Sequence, residues 1–525
     1  MKALTQLKAG WQSLPEQTIR RLQGRQLHDW LKHTVLPFSA HYREVFREHG
    51  LTADDFHTVE DLQRLPFTSK MDLIATPEAP GNYKDFILVP DPKALARRPG
   101  NIFNAFLNGR ETVQRELQHE FRPIFMTSTT GRSAEPVPFV YTGHDLDLLA
   151  TTGRRLFEIC GAWIEYKLLN LFPYAPHLAF WQTHYGATEF GVFMLSTGGG
   201  KVMGTEGNLR MLRKIQPDVL IGMPTFVYHM LHEAVQEGVR CPNLKRIVLG
   251  GEKVPDGMRR KLALLAAEME AADIEIVSTY GFTEAKCAWA ECPCAVDEAT
   301  TGFHLYPDAG IIEIIDPTTG QVVPNGKPGE IVYTPLDARG SVVLRYRTGD
   351  YIDGGLTYET CPYCERRLPR LVGRISRRSE IREMHLDKLK GTLVDFNELE
   401  HVLDDAPGIG AWQLELRKQH DDPLELDEVI LHVHALDEVS EATMTRNLNH
   451  RFAARTEFRP NRIEFHDAAT MRALQGVGTQ LKEQKVVDHR PQTGGKPAMA
   501  TSAETSHNDT PTTNRNHQSE IEVAS

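Results

Sequence analysis

No run of about 20 apolar residues, the length a helix needs to cross a hydrocarbon core, occurs anywhere in this 525-residue chain. The expectation is a protein with no membrane span. A basic balance is missing too: 59 Lys and Arg stand against 70 Asp and Glu, a formal charge of −11. A general nucleic-acid binder needs a basic face to offset phosphates, so that class is set aside. Cysteine is sparse, and seven in a chain of this length do not make a disulfide framework. The opening MKALTQLKAGWQSLPEQ holds no continuous apolar stretch of the secretory kind, and the expected location is cytoplasmic.

What is present fits a globular protein: 41% hydrophobic and 25% charged residues, with a length that suggests roughly two to four domains. Residues 1–75 carry apolar positions at helical spacing. From about 120 to 350, strand candidates fall at Lys167–Phe172, Val219–Ile221, Arg246–Leu249, Ile274–Ser278, Gly310–Ile315 and Glu330–Tyr333, and several alternate with helix patterns such as Thr225–Glu237 and Gly257–Ala271. That alternation predicts an α/β fold of doubly wound sheets. After Gly373-Arg374 a smaller α+β unit of the ferredoxin-like kind is expected. Its strands lie near Ala411–Leu416, Glu428–Ala435 and Arg462–Phe465, and its helices near Asn397–Asp404 and Ser440–Ala454. The expected division is a large domain at 1–375, a small C-terminal lid at 376–490 and a tail at 491–525. The tail has too little apolar content to offset ordering entropy and is expected to be disordered.

Three strings suit nucleotide chemistry. Met126-Thr127-Ser128-Thr129-Thr130-Gly131-Arg132 clusters hydroxyls, a flexible Gly and a cation, which suits a loop around phosphates; taken alone it also reads as a plain polar loop. Ser278-Thr279-Tyr280-Gly281-Phe282-Thr283-Glu284 follows an apolar strand and emerges at the edge where open α/β sheets bind ligands. There Tyr280 suits a base, Thr283 a phosphate and Glu284 Mg²⁺; the plain alternative is a strand ending in a turn. Leu344-Arg345-Tyr346-Arg347-Thr348-Gly349-Asp350 places an acid after Gly, suited to clasp vicinal hydroxyls, though as a bare string it would pass for a charged hairpin.

The ordered set resembles the adenylate-forming superfamily, in which a hydroxyl-rich phosphate loop, Y-G-x-T-E and T-G-D follow one another. Within it the chain is most similar to the phenylacetate–CoA ligase family. Leu65-Pro66-Phe67-Thr68-Ser69-Lys70-Met71-Asp72-Leu73, His184-Tyr185-Gly186-Ala187 with Gly191, Gly250-Gly251-Glu252 and Gly373-Arg374 carry that likeness. The resemblance implies ATP-dependent activation of a carboxylic acid, aryl or arylacetic, to acyl-AMP and transfer to CoA. It assigns Thr129, Thr130, Gly131 and Arg132 to the phosphates, and Gly251, Glu252, Tyr280 and Gly281 to the adenine. Thr283 and Glu284 go to phosphate and Mg²⁺, Asp350 and Arg374 to the ribose, and Lys482 to the lysine that the C-terminal domain supplies. Tyr174, His177, His184 and Tyr185 are the expected acid-pocket residues. Departures stand beside the matches. Ser128 occupies a usual Gly position, Ile-Ser-Arg-Arg follows Gly373-Arg374 where acids are usual, and Leu481 replaces the Gly before the lysine.

The resemblance also implies a structural Zn²⁺ on Cys292, His304, Cys361 and Cys364, a Cys₃His set that saturates a tetrahedral ion. Cys294 is an alternative first ligand, and Cys287 is expected to be a buried core thiol. Two other functions stay open: adenylation with transfer to an amine, a hydroxyl or a carrier-protein thiol, and a non-catalytic nucleotide binder. The assembly state is open as well, a homodimer included.

Overall fold

The computed structural model describes residues 10, 12–74, 82–129, 136–296, 298, 300–377, 381–386, 389–419, 427–436, 440–455, 460–477 and 483–490. The expected tail at 491–525 lies outside them.

Five short apolar segments pair as a parallel sheet because a helix covers each crossover, and the inner strands Val219–Gly222 and Arg246–Leu249 are buried throughout. Phe193–Ser196, Lys167–Asn170, Val219–Gly222, Arg246–Leu249 and Glu275–Phe282 lie side by side in that order. Helices Leu178–Phe190, Gly200–Ile215, Pro224–Gln236 and Asp256–Glu268 connect them. Beyond Glu275–Phe282 the sheet turns antiparallel through Cys287–Ala290, Phe303–His304, Arg370–Leu371 and Leu356–Thr357, nine strands in all.

Helix Gly143–Ile159 starts at a capping box in which Thr142 accepts from the Asp145 amide. It crosses Leu178–Phe190 at a glycine-to-glycine contact, where a Cβ on Gly153 would meet the Gly186 Cα at 2.6 Å. Asp145 is buried and does more than cap. It accepts from the Arg339 amide at 3.0 Å, the Gly340 amide at 2.7 Å and Lys286 Nζ at 3.1 Å, tying three segments together.

The helical N-terminal segment, including Glu16–Trp30 and Ala40–Glu48, docks by side chains that reach backbone far along the chain. Trp30 Nε1 donates to the Ala338 carbonyl at 3.1 Å. Tyr42 Oη donates to the Val342 carbonyl at 3.2 Å and accepts from the Leu344 amide at 2.8 Å.

The two remaining strand candidates join a different sheet: Gly310–Ile315 and Gly329–Pro335 lie outside the doubly wound one. They form a separate four-stranded antiparallel sheet with Tyr346–Ile352 and Ile375–Arg377. The connection between the first two contains no helix, and without a crossover element consecutive strands return antiparallel.

The C-terminal sheet orders Arg462–Phe465, Asp427–Ala435, Ile409–Lys418 and Val486–Asp488, with helices Phe396–Asp404 and Glu441–Arg455. This is the expected small α+β unit. Its core is built from Leu399, Val402, Trp412, Leu414, Leu431, Leu448 and Phe452. It abuts the large sheet's helices, where Gly257 leaves room that a Cβ would lose to the Asp404 carbonyl at 1.8 Å. Lys253 Nζ meets Glu400 at 2.9 Å, and Arg472 meets Glu233 at 2.7 Å. Among the described residues no helix is long and apolar enough to cross a membrane.

Candidate active site

The carboxyl ends of the parallel strands open onto an apolar cavity of about 150 Å³. Phe172, Met223, Gly251, Thr279, Gly281 and Thr283 line it from the strand ends, and Leu156, His177 and Gln182 from the two crossing helices. This is the edge where open α/β sheets hold ligands. Glycine is required here by space. A Cβ on Gly250 would sit 2.3 Å from Thr279 Oγ1, and one on Gly281 2.4 Å from the Ala288 Cβ. Gly251 adopts φ +84°, a conformation side chains oppose.

Beside the cavity, two carboxylates are held by two tyrosines. Tyr280 Oη donates to Asp350 Oδ2 at 2.9 Å, and Arg377 Nε lies 2.9 Å from Asp350 Oδ1. Tyr346 Oη donates to Glu284 Oε1 at 2.7 Å. Burial raises the Glu284 carboxyl above the ordinary glutamate value, with the Tyr346 hydroxyl pulling the other way. Burial, reinforced by Asp350, also keeps the Tyr280 phenol protonated well above its usual range. The adjacent Asp350 charge holds Arg377 above the usual guanidinium value.

Glu252 Oε2 accepts from Thr225 Oγ1 at 3.0 Å. Its Oε1 accepts from the Glu483 amide at 3.3 Å, so the C-terminal segment reaches the glycine turn. Lys482 itself lies outside the described residues, as do Thr130, Gly131 and Arg132. Thr129 is described: its Oγ1 accepts from the Val137 amide at 2.9 Å. Next to it the Ser128 carbonyl meets His177 Nδ1 at 3.0 Å. Of the four expected pocket residues, His177 lines the cavity. Tyr174 is exposed, with its hydroxyl on the Ser196 carbonyl, and His184 and Tyr185 join an aromatic group with Phe125, Phe180 and Trp181. Arg374 is largely exposed and pairs with Asp353 at 3.0 Å.

Arg377, Tyr346 and Thr225 were not legible as site residues. Asp350 and Arg377 are directly opposite across antiparallel strands, a pairing that needs the register. The Arg-Arg after Gly373-Arg374 was the only hint.

A second constellation lies in the antiparallel half of the large sheet. Cys292, His304, Cys361 and Cys364 place their ligand atoms within 4.8 Å of one another. Cys292 Sγ is 3.6 Å from Cys361 Sγ, and Cys364 Sγ is 3.2 Å from His304 Nε2. His304 Nδ1 faces the Ala290 carbonyl at 3.4 Å, which turns the Nε2 lone pair toward the sulfurs. Cys292, not Cys294, completes this group. Cys287 is buried elsewhere in the core, and desolvation pushes its thiol up to about 12.

The family of AMP-binding enzymes matches residues 183–335, which include strand ends around this cavity. The solved structure of 2-hydroxyisobutyryl-CoA ligase with 2-HIB-AMP superposes with a TM-score of 0.72 over 91% of both chains at 19% identity, a likeness of fold. Phenylacetate-coenzyme A ligases from Aromatoleum evansii and Thermus thermophilus are 28% and 27% identical over 335 and 354 residues. Those stretches are 63% and 67% of this chain and 66% and 68% of theirs. The chain thus matches about two thirds of the relatives' length. Over those stretches it is similar to the phenylacetate–CoA ligases, and residues 183–335 carry the AMP-binding enzyme match.

Proposed function

We propose that the chain activates a compact carboxylic acid, aryl or arylacetic, with ATP and passes the acyl group to CoA. The observation that carries this reading is the cavity itself. It is apolar, it lies at the strand edge beside Tyr280, Asp350 and Glu284, and its volume of about 150 Å³ is on the scale that admits a benzene ring. The acid's apolar body fits among Phe172, Met223 and Leu156, and its carboxylate faces the Thr279–Thr283 edge.

In the first half-reaction the acid's carboxylate attacks the α-phosphorus of ATP, forming acyl-AMP and releasing pyrophosphate. Gly251 and Tyr280 border the adenine, Asp350 accepts from the ribose hydroxyls, and Thr129 to Arg132 enclose the phosphates. Glu284 suits Mg²⁺, because a buried carboxyl whose charge is disfavoured gains from a cation. The metal when bound offsets charge on the phosphates. Lys482 supplies the cation at the reacting centre, where negative charge grows as pyrophosphate leaves. The Glu483 amide on Glu252 supports that placement. In the second half-reaction the CoA thiolate attacks the acyl carbon and AMP leaves. The small unit at 376–490 is the lid that turns between the two steps, and the enzyme works in the cytoplasm.

The Cys₃His group fits structural Zn²⁺. Its S–S and S–N separations of 3.6 and 3.2 Å are close to the edges, about 3.5–3.8 Å, of a tetrahedron with ordinary Zn–S and Zn–N bonds. Four protein donors leave no open position, so its contribution is to the fold.

The test is acid-dependent pyrophosphate exchange across a panel of aryl and alkyl acids, with Lys482→Ala alongside. Exchange with compact aryl acids is expected, reduced on the order of 10²–10³-fold in the variant, while thioester formation from supplied acyl-AMP falls much less. Absence of exchange with every acid would leave only nucleotide binding.

A further inference from the structure

The polar face of the C-terminal sheet carries a second group of metal-type donors, remote in kind from the cysteine cluster. His432 lies on the central strand Asp427–Ala435, and Glu464 is its direct partner on the parallel edge strand Arg462–Phe465. Alternation along a strand puts residues two apart on one face, so His466 follows Glu464 to the same side. The opposite face holds Val429, Leu431 and Val433 in the core. His432 Nδ1 lies 3.0 Å from His466 Nε2 and 3.5 Å from Glu464 Oε2. The three ligand atoms are all within 4.8 Å of one another.

Hydrogen bonding explains only part of this arrangement. His432 Nε2 is engaged by Glu415 Oε2 at 3.0 Å, so that nitrogen carries the proton and Nδ1 presents its lone pair to the other two groups. A carboxylate on the far nitrogen is the usual way a metal-binding imidazole is oriented and made more basic. Arg462 takes the other oxygen of Glu464, at 3.5 Å, which leaves Oε2 turned toward His432. The separations of 3.0 and 3.5 Å bracket the edge, about 3.3 Å, of a tetrahedron whose bonds are those of zinc to nitrogen and oxygen. Glu464 and His466 are partly exposed, so solution has access to the site and water can fill the fourth position.

We propose that His432, Glu464 and His466 form a surface-accessible site for Zn²⁺ or another nitrogen-preferring divalent transition metal, with Glu415 as the positioning residue. Two imidazoles select such ions over Mg²⁺ and Ca²⁺, which prefer oxygen donors. A bound ion would pin the edge strand Arg462–Phe465 to the centre of the lid sheet. This site is independent of the acid activated and of the cysteine cluster.

The experiment uses the untagged full-length protein, its tightly held metal left in place, titrated calorimetrically with Zn²⁺ in the presence of millimolar Mg²⁺. One further, chelator-reversible equivalent per chain is expected. It should be absent in His466→Ala and weakened at least tenfold in Glu464→Gln, with Glu415→Gln weakening it about 10- to 100-fold. Co²⁺ in place of Zn²⁺ should give ligand-field bands without the thiolate charge-transfer band that a cysteine site would add. Absence of a second equivalent, an isotherm unchanged in both His466→Ala and Glu464→Gln, or displacement by Mg²⁺ would each overturn the proposal.

Discussion

Replacing Tyr346 by Phe removes one oxygen and tests the half-buried Glu284 carboxylate beside the cavity. The ring is enclosed and stacks near Phe282, with centroids 6.5 Å apart, so Phe preserves the packing. What is lost is the 2.7 Å hydrogen bond to Glu284 Oε1. A hydrogen bond to a charged group contributes about 1.5–3 kcal/mol, and one pH unit of proton affinity corresponds to about 1.4 kcal/mol. Burial already raises the Glu284 carboxyl, and Tyr346 opposes that rise. Losing the hydroxyl therefore moves the carboxyl further upward. The assay is acid-dependent pyrophosphate exchange as a function of pH. The acid limb should move to higher pH, lowering the rate at a fixed pH on that limb about tenfold or more, while the alkaline plateau stays near wild type. Stability should follow the same sign. Where the carboxylate is charged the variant should lose about 1.5–3 kcal/mol, and the deficit should close in acid once Glu284 is protonated in both states. A variant whose acid limb coincides with wild type would refute the claim that Tyr346 holds the Glu284 charge.

Asp145→Asn should destabilise the fold by about 3–5 kcal/mol, because it leaves the buried Lys286 ammonium without its counter-charge. Burial would raise the Asp145 carboxyl, but Lys286 and the Arg339, Thr142 and Gly340 amides hold it below the usual value. Its contribution is therefore complete above the unfolded carboxylate range and lost as pH falls through the folded value. Denaturant titrations at neutral and acid pH should show the gap between variant and wild type narrowing in acid. Metal analysis of the purified chain should find about one tightly held Zn²⁺, and Cys361→Ser should lower the melting temperature without changing the ranking of acid substrates. No tight zinc, with all seven thiols titrating readily, would count against the cysteine site.

The parts of the fold that came through in the linear pattern are those set by local periodicity. Arg246–Leu249, Gly310–Ile315 and Arg462–Phe465 have the expected bounds, and the helices at Pro224–Gln236 and Glu441–Arg455 depart from expectation by a residue at each end. A run of apolar residues with a turn signal on either side carries its own burial requirement. The sheet each strand joins does not follow from the run: Gly310–Ile315 and Gly329–Pro335 belong to a separate antiparallel sheet.

The candidate site divides the same way. Short-range chemistry was readable: a glycine where an added Cβ would sit 2.4 Å from the Ala288 side chain, hydroxyls beside it, and an acid after Gly349. Long-range pairing was not. Asp350 meets Arg377 through cross-strand register, and Tyr346 meets Glu284 because the separate antiparallel sheet packs against the end of the parallel one. The choice of Cys292 over Cys294 was equally beyond a linear reading, since two residues of offset decide which sulfur reaches Cys361 across 69 positions of chain. By itself the sequence determined the element types, the nucleotide-type strings and the likeness to AMP-binding enzymes. Tertiary structure alone decided which charges are buried together, because a carboxylate's proton affinity depends on the neighbours and the dielectric around it, and folding brings those from distant segments.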